Sequence, residues 1–416
     1  MNKKFQQSLT SIPMLVFFIG EVVMNSATPV NAAEKFEIKK EIVLSDSQPF
    51  HFSMSPAKGN GYFITGYIGG RQAWGAYLND EGEEKWSYTV PTDIPPENTH
   101  YSHAWRASQY HGAISLSNGQ SILCGHKNVG EETKPLVKGL LTKLDEKGNL
   151  IDQRLLTPEG DEKFKLNYIR QCGSWGDGYF LAGSAKKSIT NSPGKFPPVF
   201  SESFFWLIAL NNDGDIKWGK LISRDFLPTI EQSTWLQMSN GDLVFSGSAP
   251  GIPNDSGMVS MTSVLRVDQN GEVIAQRSII GRMQLVHQSL PTDSIRLVPF
   301  VLKDGMFIKT LNDDLSDNSY IANDIQDEFA ITRAIEMQDH SFFLTGYRDF
   351  RNPYATILQY TSDLNKRNDF VFKPKRSSFK IDDALPSKIV NEIATIRSVD
   401  IGKDTKNIFS IIKIKK

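Results

Sequence analysis

The chain has 416 residues, of which 39% are hydrophobic and 22% are charged, a composition typical of soluble globular proteins. Its 46 basic and 47 acidic residues leave a formal net charge of −1. No bulk charge therefore favours nucleic acid or an anionic membrane surface as a partner.

The beginning of the chain has the organisation of an export signal. Two lysines precede the apolar stretch IPMLVFFIGEVVM, and the small residues that a signal peptidase reads end at Ala32. Glu21 interrupts the apolar stretch, which is too short to span a bilayer comfortably. We therefore predict a cleaved signal peptide over 1–32, a single mature domain over 33–416, and a periplasmic or secreted protein without stable membrane insertion. A signal that is retained as a short anchor is the alternative.

After the signal, one short strand pattern recurs along the chain. Its copies are GYFITGY at 61, QSILCGH at 120, GYFLAGS at 178, GDLVFSGS at 241, GMFIKTL at 305, SFFLTGY at 341 and NIFSIIK at 407. In most units an apolar strand, a turn rich in Asn, Asp and Gly, and another strand follow, as in WLIALNNDGDIKWGK. The turn residues supply the positive-φ conformations of tight hairpins, and the strands are rich in β-branched and aromatic residues.

Seven such units predict an all-β fold, a seven-bladed β-propeller, which we expect to be a monomer. The segment 36–44, FEIKKEIVL, is typical of an outer strand but belongs to no unit of its own. At the other end of the chain, 390–416 supply only the early strands of the last unit. The N-terminal strand would therefore join the last blade and close the ring, which removes exposed sheet edges. We expect NSYIAND in place of the third strand of a degenerate fifth unit, and no helix beyond a short one over 382–394.

The pair of segments WGDGYFLAGS and WLIALNNDGDIKWGK resembles the repeat of bacterial exported β-propellers, of the quinoprotein-like Asp-x-x-Gly-x-x-x-Trp type. The resemblance covers 36–416 and implies the architecture without fixing a function. Only two units keep the tryptophan, as Trp86 and Trp218, and no quinone-site motif accompanies them. We therefore expect no quinone and no other cofactor.

The long and variable connections predict where the protein acts. They follow second or fourth strands, which end on one face of a propeller, and they are 91–105, 127–137, 186–203, 249–262 and 373–389. The turns on the other face are minimal. Because long loops on a rigid scaffold commonly carry function, we predict a binding module that recognises a protein or an extended ligand through this face. A face that merely tolerates insertions is the alternative.

Arginines recur at the start of the predicted first strands, namely Arg170, Arg296, Arg333 and Arg397. In a propeller they would approach the channel mouth, where guanidinium groups could bind a carboxylate or phosphate. Each could instead pair with a neighbouring carboxylate and tie the blades together. The second functional hypothesis is an enzyme that acts on an anionic small molecule or glycan at this mouth, with His103 or His111 as the acid–base group.

Four of the seven histidines fall within a short segment, as His100, His103, His111 and His126. A metal site needs three or four ligands, and no Cys or carboxylate lies at metal-ligand spacing from them, so we predict no metal site. We interpret them as loop histidines that contribute to a binding surface. Trp105 beside them is either a contact residue or a packing residue.

The chain has two cysteines, Cys124 and Cys172, in strand-like runs of neighbouring units. In an oxidising compartment they could form a disulfide, and otherwise they would serve as small buried hydrophobic residues. The sequence leaves both open.

Overall fold

The computed structural model of the protein describes residues 36–45, 50–59, 61–68, 72–91, 108–129, 136–158, 163–188, 200–222, 234–254, 257–288, 291–302, 306–323, 329–348, 354–372, 379–386, 392–401 and 404–414. The predicted signal peptide lies outside these residues, as do His100, His103 and Trp105. No helix within the described ranges is long and apolar enough to cross a membrane.

Among the described residues, the only regular secondary structure is the β-strand. In chain order the strands are β1 (Phe36–Ser45), β2 (Phe50–Pro56), β3 (Tyr62–Ile68), β4 (Gln72–Leu78), β5 (Glu84–Thr89), β6 (Gln109–Ser115), β7 (Ser121–Asn128), β8 (Val137–Leu144), β9 (Leu150–Leu156), β10 (Phe164–Trp175), β11 (Gly178–Ser188), β12 (Phe200–Leu210), β13 (Ile216–Leu221), β14 (Thr234–Gln237), β15 (Leu243–Asn254), β16 (Gly257–Val267), β17 (Val273–Ile280), β18 (Met283–Leu285), β19 (His287–Gln288), β20 (Ile295–Pro299), β21 (Val301–Leu302), β22 (Met306–Leu311), β23 (Asp317–Asn323), β24 (Phe329–Glu336), β25 (Phe342–Arg348), β26 (Tyr354–Tyr360), β27 (Lys366–Val371), β28 (Phe379–Pro386), β29 (Glu392–Ile401) and β30 (Asp404–Ile414).

These strands form antiparallel groups of four, which we call sheets 1 to 7. Sheet 1 is β2-β3-β4-β5, sheet 2 is β6-β7-β8-β9, sheet 3 is β10-β11-β12-β13, sheet 4 is β14-β15-β16-β17, sheet 5 is β18-β20-β22-β23, sheet 6 is β24-β25-β26-β27 and sheet 7 is β28-β29-β30-β1. The two-residue strands β19 and β21 pair with β24, and one parallel pair, Leu166 with Val137, joins sheet 3 to sheet 2.

The N-terminal strand pairs with the last strand of the chain. β1 runs antiparallel to β30, from Phe36 opposite Ile414 to Ser45 opposite Asn407. The sequence predicted this pairing, and the observed register leaves β1 as the outer strand of sheet 7.

The recurring strand does not occupy the same place in every sheet. It is the second strand in sheets 1 to 4 and in sheet 6, but it is the third strand, β22 or β30, in sheets 5 and 7. NSYIAND therefore lies in the fourth strand of a complete sheet 5, and its prediction as a third strand was wrong. The misassignment arose because Met306–Leu311 matches the recurring strand, which is the second strand in sheets 1 to 4. The turn after it also carries Leu315, with φ of 66°, where Gly214, with φ of 80°, closes the equivalent turn of sheet 3.

Two predicted connections contain strands instead. Within 249–262, β15 and β16 continue as a paired hairpin as far as Asn254 opposite Gly257. The segment 373–389 contains β28, and the predicted short helix over 382–394 is replaced by the end of β28 and the start of β29. The start of β29 is buried on both faces, so the alternation of buried and exposed residues that marks a half-buried strand is missing there.

The glycine of the recurring motif has a specific structural role. Gly125, Gly183 and Gly346 each lie opposite a first strand that contains one extra, bulged residue. A Cβ atom at Gly183 would lie 1.7 Å from the carbonyl oxygen of Tyr168, and the equivalent distances at the other two glycines are 1.9 and 1.8 Å. Only glycine lets the bulged strand approach this closely.

The hydrophobic core lies between neighbouring sheets. Between sheets 2 and 3, for example, Ile122 and Leu141 pack in one cluster with Ile169 and Leu181. Cys124 on β7 and Cys172 on β10 form a disulfide across the same junction, with their Cα atoms 6.7 Å apart. Residues of the first strands of most sheets line one cavity of about 460 Å³.

Candidate functional site

Two of the predicted site residues, Arg170 and His111, meet at the junction of sheets 2 and 3. His111 is the bulged residue of β6 and Arg170 is the bulged residue of β10. Arg170 Nη1 donates a hydrogen bond of 2.7 Å to His111 Nε2. Because a guanidinium group can only donate, this ring nitrogen carries no proton, and the imidazole is neutral with its proton on Nδ1.

Two further side chains complete this group, which we call the Arg170 cluster and define as His111, His126, Tyr168 and Arg170. The Nδ1 atom of His126 lies 3.1 Å from Nε2 of His111, and the two rings stack with their centroids 5.1 Å apart. Since that Nε2 atom accepts, His126 must donate from Nδ1. The guanidinium carbon of Arg170 lies 4.4 Å from the ring centroid of Tyr168, in a cation–π contact.

Arg170 is a buried cation, and none of the described residues offers it a carboxylate. Only 7% of its surface is exposed, and its buried Nε atom has no hydrogen-bond partner among the residues that the structure describes. Burial lowers the pKa of Arg170 to about 10, which leaves the side chain charged at neutral pH. Burial also raises the pKa of Tyr168, so the phenol does not balance that charge.

The charge of Arg170 acts on its basic neighbours as well. Burial first, and then Arg170, lower the pKa of His126 well below its ordinary value. The same two causes, in the same order, lower the pKa of Lys186 on β11. A buried charge without a partner is unfavourable, so the cluster is electrostatically suited to an anion that would balance Arg170.

The Arg170 cluster lies at the end of sheets 2 and 3 from which the predicted long connections leave. His126 pairs with Gln109 at the start of β6, and Lys186 pairs with Leu166 near the start of β10. These strand ends adjoin segments outside the described residues, 92–107, 130–135 and 189–199. The opposite ends of the same strands are joined by the short turns 116–120 and 176–177.

The other three predicted arginines are each held by a carboxylate. The ion pairs are Arg333 with Asp383, Arg296 with Glu336, and Arg397 with Glu41. The first pair has two hydrogen bonds, of 2.9 and 3.0 Å, and joins sheet 6 to sheet 7. The second joins sheets 5 and 6, and the third joins β29 to β1. These contacts are of the kind expected from arginines that tie neighbouring strands together.

The structure does not place all four arginines on first strands. Arg170 and Arg333 lie on the first strands β10 and β24, but Arg296 and Arg397 lie on the second strands β20 and β29. The predicted strand position of the latter two was wrong because the recurring strand is the third strand in sheets 5 and 7. The structure thus brings Arg170 and His111 together and leaves the other arginines elsewhere.

Sequence reasoning did not single out Tyr168 or Lys186, and it did not connect His126 with Arg170. One signal was available. Cys124 lies two residues before His126, Cys172 lies two residues after Arg170, and alternate residues of a strand point to the same face. A disulfide between these cysteines therefore joins β7, which carries His126, to β10, which carries Tyr168 and Arg170.

We find no metal centre in the part of the chain that the structure describes. No three His, Cys, Asp or Glu side chains in it are placed to hold a metal ion. His111 and His126 are engaged with each other and with Arg170, whose charge opposes cation binding.

No protein-family model and no curated protein matches the chain. Similar solved structures include the polysaccharide lyase Uly1, with 8% identity, a TM-score of 0.50 and coverage of 90% of this chain and 99% of that one. A mutant of NanB sialidase from Streptococcus pneumoniae has 10% identity and a TM-score of 0.45, with coverage of 88% of this chain and 68% of that one. A DUF4221 protein from Bacteroides vulgatus has 10% identity and a TM-score of 0.39, with coverage of 92% of this chain and 99% of that one. At such identities the likeness shows the fold alone, a β-propeller-like all-β fold.

Proposed function

We propose that the protein is an exported β-propeller that recognises an anionic extended ligand at the end of sheets 2 and 3 that carries the Arg170 cluster. The observation that carries this proposal is the buried guanidinium of Arg170, which lacks a carboxylate among the described residues. Proteins rarely bury an arginine without compensation. Arg170 also lies between the strand ends that adjoin the predicted long connections, where an extended ligand would have room to bind.

The proposed architecture is a ring of seven blades, one per sheet, that β1 closes. Its support is the pairing of β1 with β30 and the shared cavity lined from several first strands. A chain that lacks 33–45 should lose thermal stability and recover it when a peptide of that sequence is added. If removal of these residues changes nothing, closure by β1 is excluded. Export would be tested by N-terminal sequencing of the mature protein, which should begin after Ala32.

The binding proposal is tested first by stability in defined anions. Sodium phosphate and sodium acetate should raise the melting temperature of the wild-type protein above its value in sodium chloride of equal ionic strength, because a bound anion stabilises the folded state. Arg170→Gln should abolish this difference. Arg282→Gln is the matched control, since Arg282 is exposed and lies away from the cluster.

The extended ligand would then be sought by retention of native envelope and culture-fluid components on the immobilised mature chain. A ligand retained by the wild type and by Arg282→Gln, but released by Arg170→Gln, would support the proposal. A ligand retained equally by all three, together with no phosphate or acetate effect on melting, would refute it.

The alternative is an enzyme that acts on an anionic small molecule or glycan. The contact that favours it is the neutral imidazole of His111 beside Arg170, because an acid–base group next to an anion anchor could act on a bound substrate. The other arginines are engaged by carboxylates, so such a site would rest on these two residues. Breakdown of an anionic glycan by the wild type, with loss in His111→Gln and retained binding, would establish this alternative.

A further inference from the structure

We propose a second binding site, independent of the Arg170 cluster, in the central cavity of about 460 Å³, for a small uncharged ligand rich in hydroxyl groups such as a monosaccharide. The cavity is of the size that small-ligand sites usually have. Its wall combines side chains from several sheets, and those used in the argument are Trp235, Gln237, Ser174, His287 and Arg333.

The charges on the cavity wall are already balanced or engaged. Arg333 makes two hydrogen bonds with the buried carboxylate of Asp383, at 2.9 and 3.0 Å. Lys58 is exposed at the rim and donates to the backbone carbonyl of Ser117 at 2.9 Å. A charged ligand would lose hydration inside the cavity, where the lining cation Arg333 is already paired with a carboxylate and Lys58 lies exposed to solvent, whereas an uncharged ligand would not meet this penalty.

The polar groups that remain suit hydroxyl groups. The side chains of Gln237, Ser174 and His287 make no hydrogen bond with any of the described residues. Burial, and then the charge of Arg333, lower the pKa of His287 to about 3, so its imidazole is neutral and offers one donor and one acceptor. An amide, a hydroxyl and a neutral imidazole can together donate to and accept from a hydroxyl-rich ligand.

Trp235 gives the same wall a fixed aromatic surface. Its ring packs against Phe180 at a centroid distance of 4.8 Å, with the two planes at 82°. β10, whose Gly173 pairs with Phe180, passes the same ring so closely that a Cβ atom at Gly173 would lie 2.4 Å from Cζ2 of the indole. The indole is therefore held in place before any ligand arrives, and it remains partly exposed. The indole itself therefore needs no further ordering when a ligand binds.

The test uses glucose and N-acetylglucosamine as probes, with glucuronate as the charged analogue of the same ring. Binding to the mature chain would be measured by saturation-transfer NMR and by tryptophan fluorescence. We expect saturation transfer from at least one neutral sugar, and affinity for glucuronate lower by about tenfold, a difference of about 1.4 kcal/mol. Absence of transfer from both neutral sugars, or tighter binding of glucuronate, would overturn the proposal.

Ser174→Phe places a large ring in the cavity at an exposed position and should abolish sugar binding. Ser278→Phe, at an exposed position on the outer strand β17, is the matched control and should bind as the wild type does. If Ser174→Phe is folded and still binds sugar, the cavity is not the site. Arg170→Gln should keep sugar binding while it loses the phosphate effect on melting, so the two proposed sites fail separately.

Discussion

Replacing Gly183 with alanine should both destabilise the protein and disrupt the Arg170 cluster. The new Cβ atom would lie 1.7 Å from the carbonyl oxygen of Tyr168 and 2.9 Å from Cα of Ile169, and both neighbours are backbone atoms. The bulge of β10 would have to retreat by well over 1 Å. Overpacking of this kind typically costs about 1–3 kcal/mol, and the loss of bulge geometry adds to it. We expect Gly183→Ala to lower the free energy of unfolding by about 3 kcal/mol.

Gly219→Ala on β13 of the same sheet is the matched control. A Cβ atom there would meet nothing closer than Trp206 Nε1 at 3.6 Å, an ordinary contact. Because alanine has fewer conformations than glycine in the unfolded chain, this variant should be more stable than the wild type by about 0.4–1 kcal/mol. Urea unfolding followed by tryptophan fluorescence measures both variants, and stabilisation by phosphate reports on Arg170. Equal stability of the two variants would refute the reasoning. If Gly183→Ala loses stability but phosphate stabilises it as much as it stabilises the wild type, then the bulge geometry is not needed for anion binding at Arg170.

Three further predictions concern the contacts between sheets. The Cys124–Cys172 disulfide closes a separation of 48 residues, so Cys124→Ser with Cys172→Ser should lose up to about 4 kcal/mol in urea unfolding, and mass spectrometry should find no free thiol in the wild type. The pKa of His287 is about 3 in the folded state and about 6.5 in the unfolded state, so the unfolded chain binds the extra proton between these pH values. Stability should therefore fall on acidification below pH 6.5, by up to about 1.4 kcal/mol per pH unit, and His287→Gln should flatten the profile between pH 5 and 6.5. Asp383→Asn should destabilise by about 3 kcal/mol, because it leaves Arg333 without its buried counter-charge, whereas an unchanged melting temperature would show that the pair contributes nothing.

The sequence predicted the features that repeat, and it failed where a repeat departs from its pattern. Turns rich in Asn, Asp and Gly marked the outer hairpins of sheets 1 to 4, and the β-branched and aromatic runs between them indicated the strands. In sheet 5, Met306–Leu311 matches the recurring strand but is the third strand, and Leu315 takes the left-handed conformation that glycine has in sheets 1 to 4, so the strand order shifted by one. Arg296 was misplaced for that reason. The partners of the arginines were beyond prediction from local pattern, because Arg296 and Glu336 are 40 residues apart in the chain.

The candidate site itself follows from a backbone device that the repeat supplies. In sheets 2, 3 and 6 a motif glycine lies opposite a bulge in the first strand, and the bulged residues are His111, Arg170 and Thr332. The hydroxyl group of Thr332 donates a hydrogen bond of 3.1 Å to the carbonyl oxygen of Thr345 within the same sheet.

His111 and Arg170 instead lie on neighbouring sheets and reach each other across the junction, where a disulfide joins β7 to β10. The glycine and the bulge are therefore the conformational requirement of the fold, while the side chain placed on the bulge is free to vary from sheet to sheet. For this reason the Arg170 cluster could not be inferred from the repeat alone. The cluster depends on which of the sheets with a bulge are neighbours. Among the described residues, the bulges of sheets 2 and 3 place the cation of Arg170 beside the hydrogen-bonding side chain of His111, and no carboxylate lies with them.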